Sequence, residues 1–491
     1  MTSNQSDGDI PIVPHDSASK ARSGIRGTLF SQSIRIIFSL VSLPIIARQL
    51  SPIDYGVFAL FLLFIIFLDS LRDFGITTAV MGSKNFDDKM RSNVFWISSV
   101  CGVLVFVASF LLSAPILNFF NLENYHSELR CLLLVLLLNG ISSTYILNLR
   151  RILNFNRVIT MEIISTSISA IAGIVSALSG LGIWALVIQA LALSTLNLVL
   201  SIVYSDWKPI SPSKNSGLKT LYTNGSYFFA VQYIDLLPQQ FPTLLLGKSG
   251  NLVDAGNFDR GKNIQSLFHN YISIPLRQIG IPIIRSRYHA EGVLEDSLQK
   301  VHRFTLHILL PIYVLVFCQA ELIVQILYGD KYTAVVPIFR GLMIAAMLQA
   351  AEYIRFWVSI ILNQGKNSLK RSIVSFFIYA VCIIPVVPNG VLSVTRGYVL
   401  GCFLSMVIGF LFFRKITEVN ILKLLSISLI YLSIYASLSV ALFNIQQNLL
   451  SDIPNVIVII FELLIIGIVT LTHLKYSRFF PEFRKILKKL I

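Results

Sequence analysis

Charge is scarce in this chain. Of 491 residues only 13% are Asp, Glu, Lys or Arg, against 55% hydrophobic, where soluble domains run near a quarter charged. A mean hydropathy of +0.72 excludes an ordinary soluble protein. Cysteine is equally sparse. The five present (Cys101, Cys131, Cys318, Cys382, Cys402) lie in apolar stretches with no C-x-x-C spacing, which excludes a disulfide framework and a zinc site. Neither G-x-x-x-x-G-K-[ST] nor G-x-G-x-x-G occurs, so the chain carries no nucleotide motor or dinucleotide domain. The D-x-D triplet at Asp7 and Asp9 falls in a polar N-terminal stretch and reads as tail rather than metal site. No cofactor and no metal are expected. Segments between apolar runs are short, and the longest non-cytoplasmic candidates, 116–129 and 444–455, hold no acid, base and nucleophile together. An enzyme is therefore not expected.

What is present is a series of apolar segments. They fall near 27–47, 55–80, 93–115, 130–149, 158–179, 181–204, 225–247, 253–284, 304–328, 337–362, 371–388, 391–413, 422–443 and 456–474. About 20 apolar residues make one span, so these predict an all-α polytopic membrane protein with about 14 transmembrane helices. Continuously apolar runs such as 55–68 exclude the alternating ten-residue strands of a membrane barrel. The first segment contains Arg35 and lacks an A-x-A-type exit, so it is expected to stay as a span rather than act as a cleavable signal. With the N-terminus in the cytoplasm, the inside segments collect 28 Lys and Arg, among them Lys366, Lys370 and Arg371, against four outside: Arg48, Lys248, Lys331 and Arg396. That asymmetry predicts both termini cytoplasmic. It also accounts for most of the net charge of +15, which reads as topology and attraction to anionic membrane lipids, not as nucleic-acid binding.

A repeat runs beneath this pattern. Gly56-Val-Phe58 after a polar turn has a counterpart in Gly256-Asn-Phe258, and Pro115-Ile-Leu-Asn-Phe119 in Gln325-Ile-Leu-Tyr-Gly329. Leu153-Asn-Phe-Asn-Arg157 matches Leu362-Asn-Gln-Gly-Lys366 at almost the same offset. Six spans per half is an even number, so the halves enter the membrane from the same side as parallel repeats. The expected layout is a cytoplasmic tail 1–26, a six-helix bundle 27–204, a cytoplasmic linker 205–224 and a second six-helix bundle 225–413. Two extra helices over 414–476 and a basic cytoplasmic tail 477–491 follow, with the bundles facing a central cleft.

Residues 27–80, with Leu50-Ser-Pro-Ile-Asp-Tyr-Gly56-Val-Phe-Ala59 and Asp73-Phe-Gly75, resemble the opening hairpin of Wzx-type flippases. These form the polysaccharide-transport branch of the multidrug/oligosaccharidyl-lipid/polysaccharide superfamily. Asp254-Ala-Gly-Asn-Phe258, Ile284-Arg-Ser-Arg-Tyr288, Tyr328-Gly-Asp-Lys331 and Leu362-Asn-Gln-Gly-Lys366 are similar to its second half, so the resemblance spans 25–415. It implies translocation of undecaprenyl-diphosphate-linked oligosaccharide units across the bacterial inner membrane for O-antigen, capsule or exopolysaccharide. Implied partners are the lipid-linked substrate, a polysaccharide polymerase and a chain-length regulator. Alternatives are an ion-coupled drug/cation antiporter of the same fold, whose lumen should be acidic, and a membrane polysaccharide polymerase or ligase.

Ionisable residues inside the membrane cost at least about 2.5 to 3.5 kcal/mol each and mark function by default. Asp69 with Arg72, Asp259 with Lys262, and Glu352 with Arg355 are spaced i,i+3, so each couple can neutralise itself on one helix face. Arg35, Arg72, Arg277 and Arg355 all lie roughly 10 to 12 Å below the cytoplasmic surface at 1.5 Å rise per residue. They come from both halves and are the expected binders of the diphosphate. Asp235, beside Pro238 and Pro242, is the candidate ion-coupling residue, on the expectation that two prolines break the helix and free its carbonyls. An arginine across the cleft is the other partner Asp235 can have. His269 and His307 are weaker candidates for proton transfer, since an intramembrane His is more often a satisfied polar contact.

Overall fold

A computed structural model describes residues 38, 41–73, 80, 87–151, 155–213, 218–273, 276, 284, 294–362, 364–414, 419–450 and 453–476. Every long element among them is a helix: α1 Pro52–Asp73, α2 Asp88–Leu111, α3 Ser113–Phe120, α4 His126–Arg151, α5 Phe155–Leu178, α6 Trp184–Tyr204, α7 Leu218–Lys248 and α8 Leu252–Phe268. There follow α9 Leu294–Cys318, α10 Ala320–Tyr328, α11 Val335–Ile361, α12 Gly365–Ile383, α13 Val391–Arg414, α14 Ile421–Leu449 and α15 Asn455–Tyr476. Eleven helices among the described residues are long and apolar enough to cross a membrane. The protein is thus an all-helical, multi-pass membrane protein.

Local chemistry starts these helices where the sequence turns polar. Ser51 and Asp54 cap α1 reciprocally: the Asp54 amide donates to Ser51 Oγ at 3.2 Å, and the Ser51 amide donates to Asp54 Oδ2 at 2.9 Å. Two hundred residues on, Asn251 caps α8: the Asp254 amide donates to Asn251 Oδ1 at 3.0 Å, and the Asn251 side-chain amide donates to Asp254 Oδ2 at 2.8 Å. Long helix, short helix, 3-10 turn and long helix succeed one another over α2, α3, Glu123–Tyr125 and α4. The same order recurs over α9, α10, Asp330–Tyr332 and α11. Both short helices end on a residue with positive φ, Asn121 at 55° and Gly329 at 78°. The pairing of neighbours repeats as well, α4 packing on α2 and α6 as α11 packs on α9 and α13.

Where α1 meets α8 the contact is reciprocal. A methyl group built on Gly56 would lie 2.0 Å from the Leu252 carbonyl oxygen, and one on Gly256 would lie 2.4 Å from that of Pro52. Since 52 matches 252 and 56 matches 256, each partner offers the other the same surface, the signature of a two-fold contact. Gly56→Val is therefore expected to lower the melting temperature in detergent sharply, because backbone must move and overpacking typically costs about 1–3 kcal/mol. Gly256→Val should behave alike. Gly467→Ala on α15, with nothing among the described residues within 4 Å of the new methyl, should leave melting unchanged.

Several expectations need correction. Pro238 and Pro242 do not break a helix; α7 runs unbroken through both. A proline removes one ladder donor, but flanking turns and neighbouring helices can hold a membrane helix together. The segment 253–284 is not one continuous α-helix: α8 ends at Phe268 and passes into a π-helical turn over His269–Ser273. The short segment 116–129, for which no fold was expected either way, forms the end of α3, a 3-10 turn and the start of α4. Within the linker 205–224, residues up to 213 are held on α2. Asn93 exchanges two hydrogen bonds with Ser213, and the Ile210 amide donates to Ser92 Oγ. Helix α7 already starts at Leu218. The added helices α14 and α15 pack chiefly on α9.

Candidate functional site

A cavity of about 820 Å³ lies among the C-terminal end of α1, the middle of α7, α8 and its π turn, and α11, α12 and α13. Its wall includes four cations, Arg72, Lys262, Arg355 and Arg371, and four anions, Asp69, Asp73, Asp235 and Glu352. Tyrosines 233, 353, 379 and 398, with Gln232, Gln239, Gln265 and Gln349, supply hydroxyls and amides between them. Beyond the cavity, at the N-terminal ends of α1 and α8, lies the Gly56–Gly256 crossing. There Arg260 sits over the Tyr55 ring at 4.0 Å, Tyr328 donates to the Arg260 carbonyl at 3.3 Å, and Tyr332 to that of Leu50 at 3.2 Å.

Three sequence-predicted residues meet in this cavity: Arg72, Arg355 and Asp235. Arg35 and Arg277 lie outside the described residues. Arg72 is buried, with Nε 2.9 Å from Asp69 Oδ1 and a guanidinium nitrogen 3.4 Å from Ser143 Oγ. Its stem rests on the crossing of α2 and α4, where a methyl on Gly102 would lie 3.0 Å from Gly140 Cα and 3.6 Å from Arg72 Cδ. Arg355 donates to Glu352 Oε1 from Nε at 3.1 Å, with a second nitrogen at 2.9 Å. Gly409 of α13 makes room for that pair, since a methyl there would stand 3.2 Å from both Arg355 Nε and Glu352 Oε1.

Two of the three expected i,i+3 couples thus form. The third does not. Asp259 pairs with Arg260 at 2.5 Å and accepts from Asn263 at 3.2 Å, while Lys262 turns to Gln240 Oε1 at 2.6 Å. Lys262 reaches a neighbour on α7 because that helix packs beside α8. Asp235 stands 3.9 Å from Arg371, so an arginine across the cavity, not a broken helix, is its observed neighbour.

Arg371 is the residue that sequence reasoning missed. Counted there as a cytoplasmic loop cation, it lies inside α12, buried, where it ion-pairs with Glu352 and donates to Ser405 Oγ at 3.0 Å. It therefore joins Asp235 of α7, Glu352 and Arg355 of α11, and Ser405 of α13 into one network. A helix beginning at Gly365, six residues before the apolar run expected to start it, is the only signal that would have found it. His269 lines the cavity and is hydrogen-bonded to Tyr353 at 2.7 Å. His307 lies elsewhere, between Tyr431 and a stacked His473. Among the described residues no group of three or more His, Cys, Asp or Glu is arranged to hold a metal ion.

Buried guanidiniums held by carboxylates on one side and open to a cavity on the other can accept a phosphate bidentately. At about 4 Å and an effective dielectric near 20, each contributes on the order of 4 kcal/mol before desolvation.

Comparison with known proteins places this geometry. The family model described as polysaccharide biosynthesis protein matches residues 45–337. The chain is 21% identical over 329 residues to the succinoglycan biosynthesis transport protein ExoT of Rhizobium meliloti, covering 67% of this chain and 66% of that one. It is 22% identical over 345 residues to the lipopolysaccharide biosynthesis protein WzxC of Escherichia coli, covering 67% and 68%. The matched stretch thus spans about two thirds of each relative. Among solved structures, the lipid II flippase MurJ in an inward closed conformation superposes with a TM-score of 0.67 at 14% identity, covering 93% of this chain and 98% of that one. An inward-facing multidrug resistance MATE family transporter gives 0.63 at 15%, covering 80% and 96%. Those two likenesses establish the fold.

Proposed function

We propose, for a chain that belongs to the polysaccharide biosynthesis protein family, that it flips undecaprenyl-diphosphate-linked oligosaccharide repeat units across the bacterial inner membrane for a surface polysaccharide. The observation that carries this reading is the cavity in which Arg72, Arg355 and Arg371 are brought together from α1, α11 and α12. In this reading the chain crosses the membrane fourteen times with both termini cytoplasmic. Its spans form two six-helix bundles followed by two extra helices. The recurring order of elements and the reciprocal Gly56–Gly256 contact support the two-bundle layout. The end of α1 carrying Asp73 then faces the cytoplasm, so the cavity opens inward and the crossing at Gly56 closes it from outside.

A diphosphate entering from the inner leaflet meets the arginines first, with Arg35 and Arg277 completing the set on the sequence reading. The carboxylates that hold Arg72, Arg355 and Arg371 keep capture weak enough for release, since binding the phosphate must compete with an existing ion pair. Sugars then lie against tyrosine and amide side chains suited to hydroxyl groups. The balance of four cations against four anions in the wall fits a zwitterionic cavity of this kind better than the acidic lumen of a drug/cation antiporter. Asp235 is the proposed ion-coupling residue: protonating it frees Arg371 from one of its two carboxylates. A polymerase and a chain-length regulator would take over the exported unit.

The test is the leaflet in which lipid-linked intermediates accumulate. Deleting the gene is expected to leave the complete oligosaccharide on its lipid, inaccessible to reagents added outside spheroplasts. Wild-type amounts of the same intermediate on the outer leaflet would falsify the reading.

A further inference from the structure

We infer that Glu462, on α15 and remote from the cavity, is a proton-binding site reached from the outer face and mechanically linked to the seam that closes the cavity there. The inference rests on the topology proposed above but not on the identity of the cargo. Glu462 is 1% exposed. One carboxyl oxygen, Oε2, accepts a hydrogen bond from Gln319 Nε2 at 2.7 Å, while Oε1 meets no donor among the described residues.

A carboxylate in hydrocarbon with one neutral donor is too costly to stay charged without a counter-ion, so it must bind a proton. The groups facing it are few. Among the described residues, Cys318 and Gln319 come from the joint between α9 and α10, and Arg340 of α11 lies on the far side of Cys318. Arg340 is already engaged, lying 3.8 Å from Glu321 and over the Phe443 ring of α14 at 4.5 Å. Glu462 stands seven residues after Asn455, the first residue of α15, hence roughly 10 Å below the surface at 1.5 Å per residue. In the proposed topology that surface is the outer one.

What makes the position more than a buried acid is where its partner sits. Gln319 immediately precedes α10, and α10 runs through Gly329 into the 3-10 turn Asp330–Tyr332, which carries the bonds across the seam. Tyr328 bonds the Arg260 carbonyl within its own half, while Tyr332 bonds that of Leu50 and Lys331 that of Arg48, each at 3.2 Å, across to the other half. One short helix and the 3-10 turn after it therefore separate the Glu462 carboxyl from the Lys331 and Tyr332 contacts that join the two halves outside. A proton arriving from the outer side adds to the carboxylate and removes its charge; the Gln319 amide then faces a neutral acid instead of an anion, and the hold on the root of α10 weakens. Loss of that proton restores the stronger contact. The outer proton concentration thus biases opening of the seam.

The experiment is infrared difference spectroscopy of the full-length protein in lipid, wild type against Glu462→Gln, over a range of pH. The expected result is a protonated-carboxyl band that is absent in the variant, shifts in deuterated water and bleaches as pH rises. No such band at any pH would overturn the inference, and so would a band unaltered across the whole range, which would mark a permanently neutral structural acid. In proteoliposomes with a fluorescent lipid-linked diphosphate sugar, Glu462→Gln is expected to keep flipping but to lose its dependence on outside pH. A pH dependence equal to wild type would also overturn it. Because the spectroscopic arm needs no transport, an error about the cargo leaves that arm standing.

Discussion

Replacing Arg371 by alanine is expected to abolish nearly all flipping while leaving a folded protein. Removing one member of a buried ion pair usually costs about 3–5 kcal/mol, because the other charge is stranded. Here the stranding is limited. Glu352 keeps Arg355 at 2.9 Å, and Asp235, with a side chain 38% exposed, has solvent to turn to. The functional loss is larger. The cavity wall falls to three cations against four anions, and the cation shared by α7, α11 and α13 disappears. Arg371→Lys keeps the charge, yet a lysine cannot span Glu352, Ser405 and Asp235 with one planar group, so it should recover only a minor part. Measuring melting in detergent beside flipping in proteoliposomes separates the two effects. Normal flipping by a stably folded Arg371→Ala would remove this residue from the mechanism.

The second large effect is expected in affinity for the diphosphate. Arg72→Ala, Arg355→Ala and Arg277→Ala should each weaken binding of a diphosphate-bearing lipid by tenfold or more, since a charge-assisted hydrogen bond contributes about 1.5–3 kcal/mol. The lysine variants should lie between alanine and wild type, because they retain charge but lose the two-pronged contact. Binding of the monophosphate analogue should change less than that of the diphosphate. Equal losses for a neutral glycolipid would show that the arginines shape the cavity and do not hold phosphate. Arg72→Ala should in addition lower stability, as its stem fills the space over Gly102 and Gly140. Export measured for Arg277→Ala in cells extends the series to an arginine placed by sequence depth alone.

Much of this protein was legible in one dimension because the relevant physics is local. Apolar runs of span length declare membrane helices whatever surrounds them, and capping groups such as Ser51 with Asp54 and Asn251 with Asp254 act within one turn. Landmarks near 56 and 256, 115 and 325, and 153 and 362 exposed the recurring order of elements that the structure displays over α2–α4 and α9–α11. Helix pitch made the couples Asp69–Arg72 and Glu352–Arg355 possible, and both form. The family resemblance rested on the same short motifs, and the chain belongs to the polysaccharide biosynthesis protein family.

What the tertiary structure decided is which charges meet. Asp259 and Lys262 have the same i,i+3 spacing as the couples that form, yet each is drawn to another partner, because the rotation of α8 against α1 and α7 sets what lies within reach. Arg371 looked like a loop cation because it precedes an apolar run; packing of α12 against α7 and α13 extended the helix around it and gave it two carboxylates. Sequence alone therefore determined that this chain is a bundle of membrane helices with buried charges. Only packing selected the partners of those charges, since hydropathy and pitch are properties of a single helix, whereas a buried ion pair depends on the mutual rotation and depth of two.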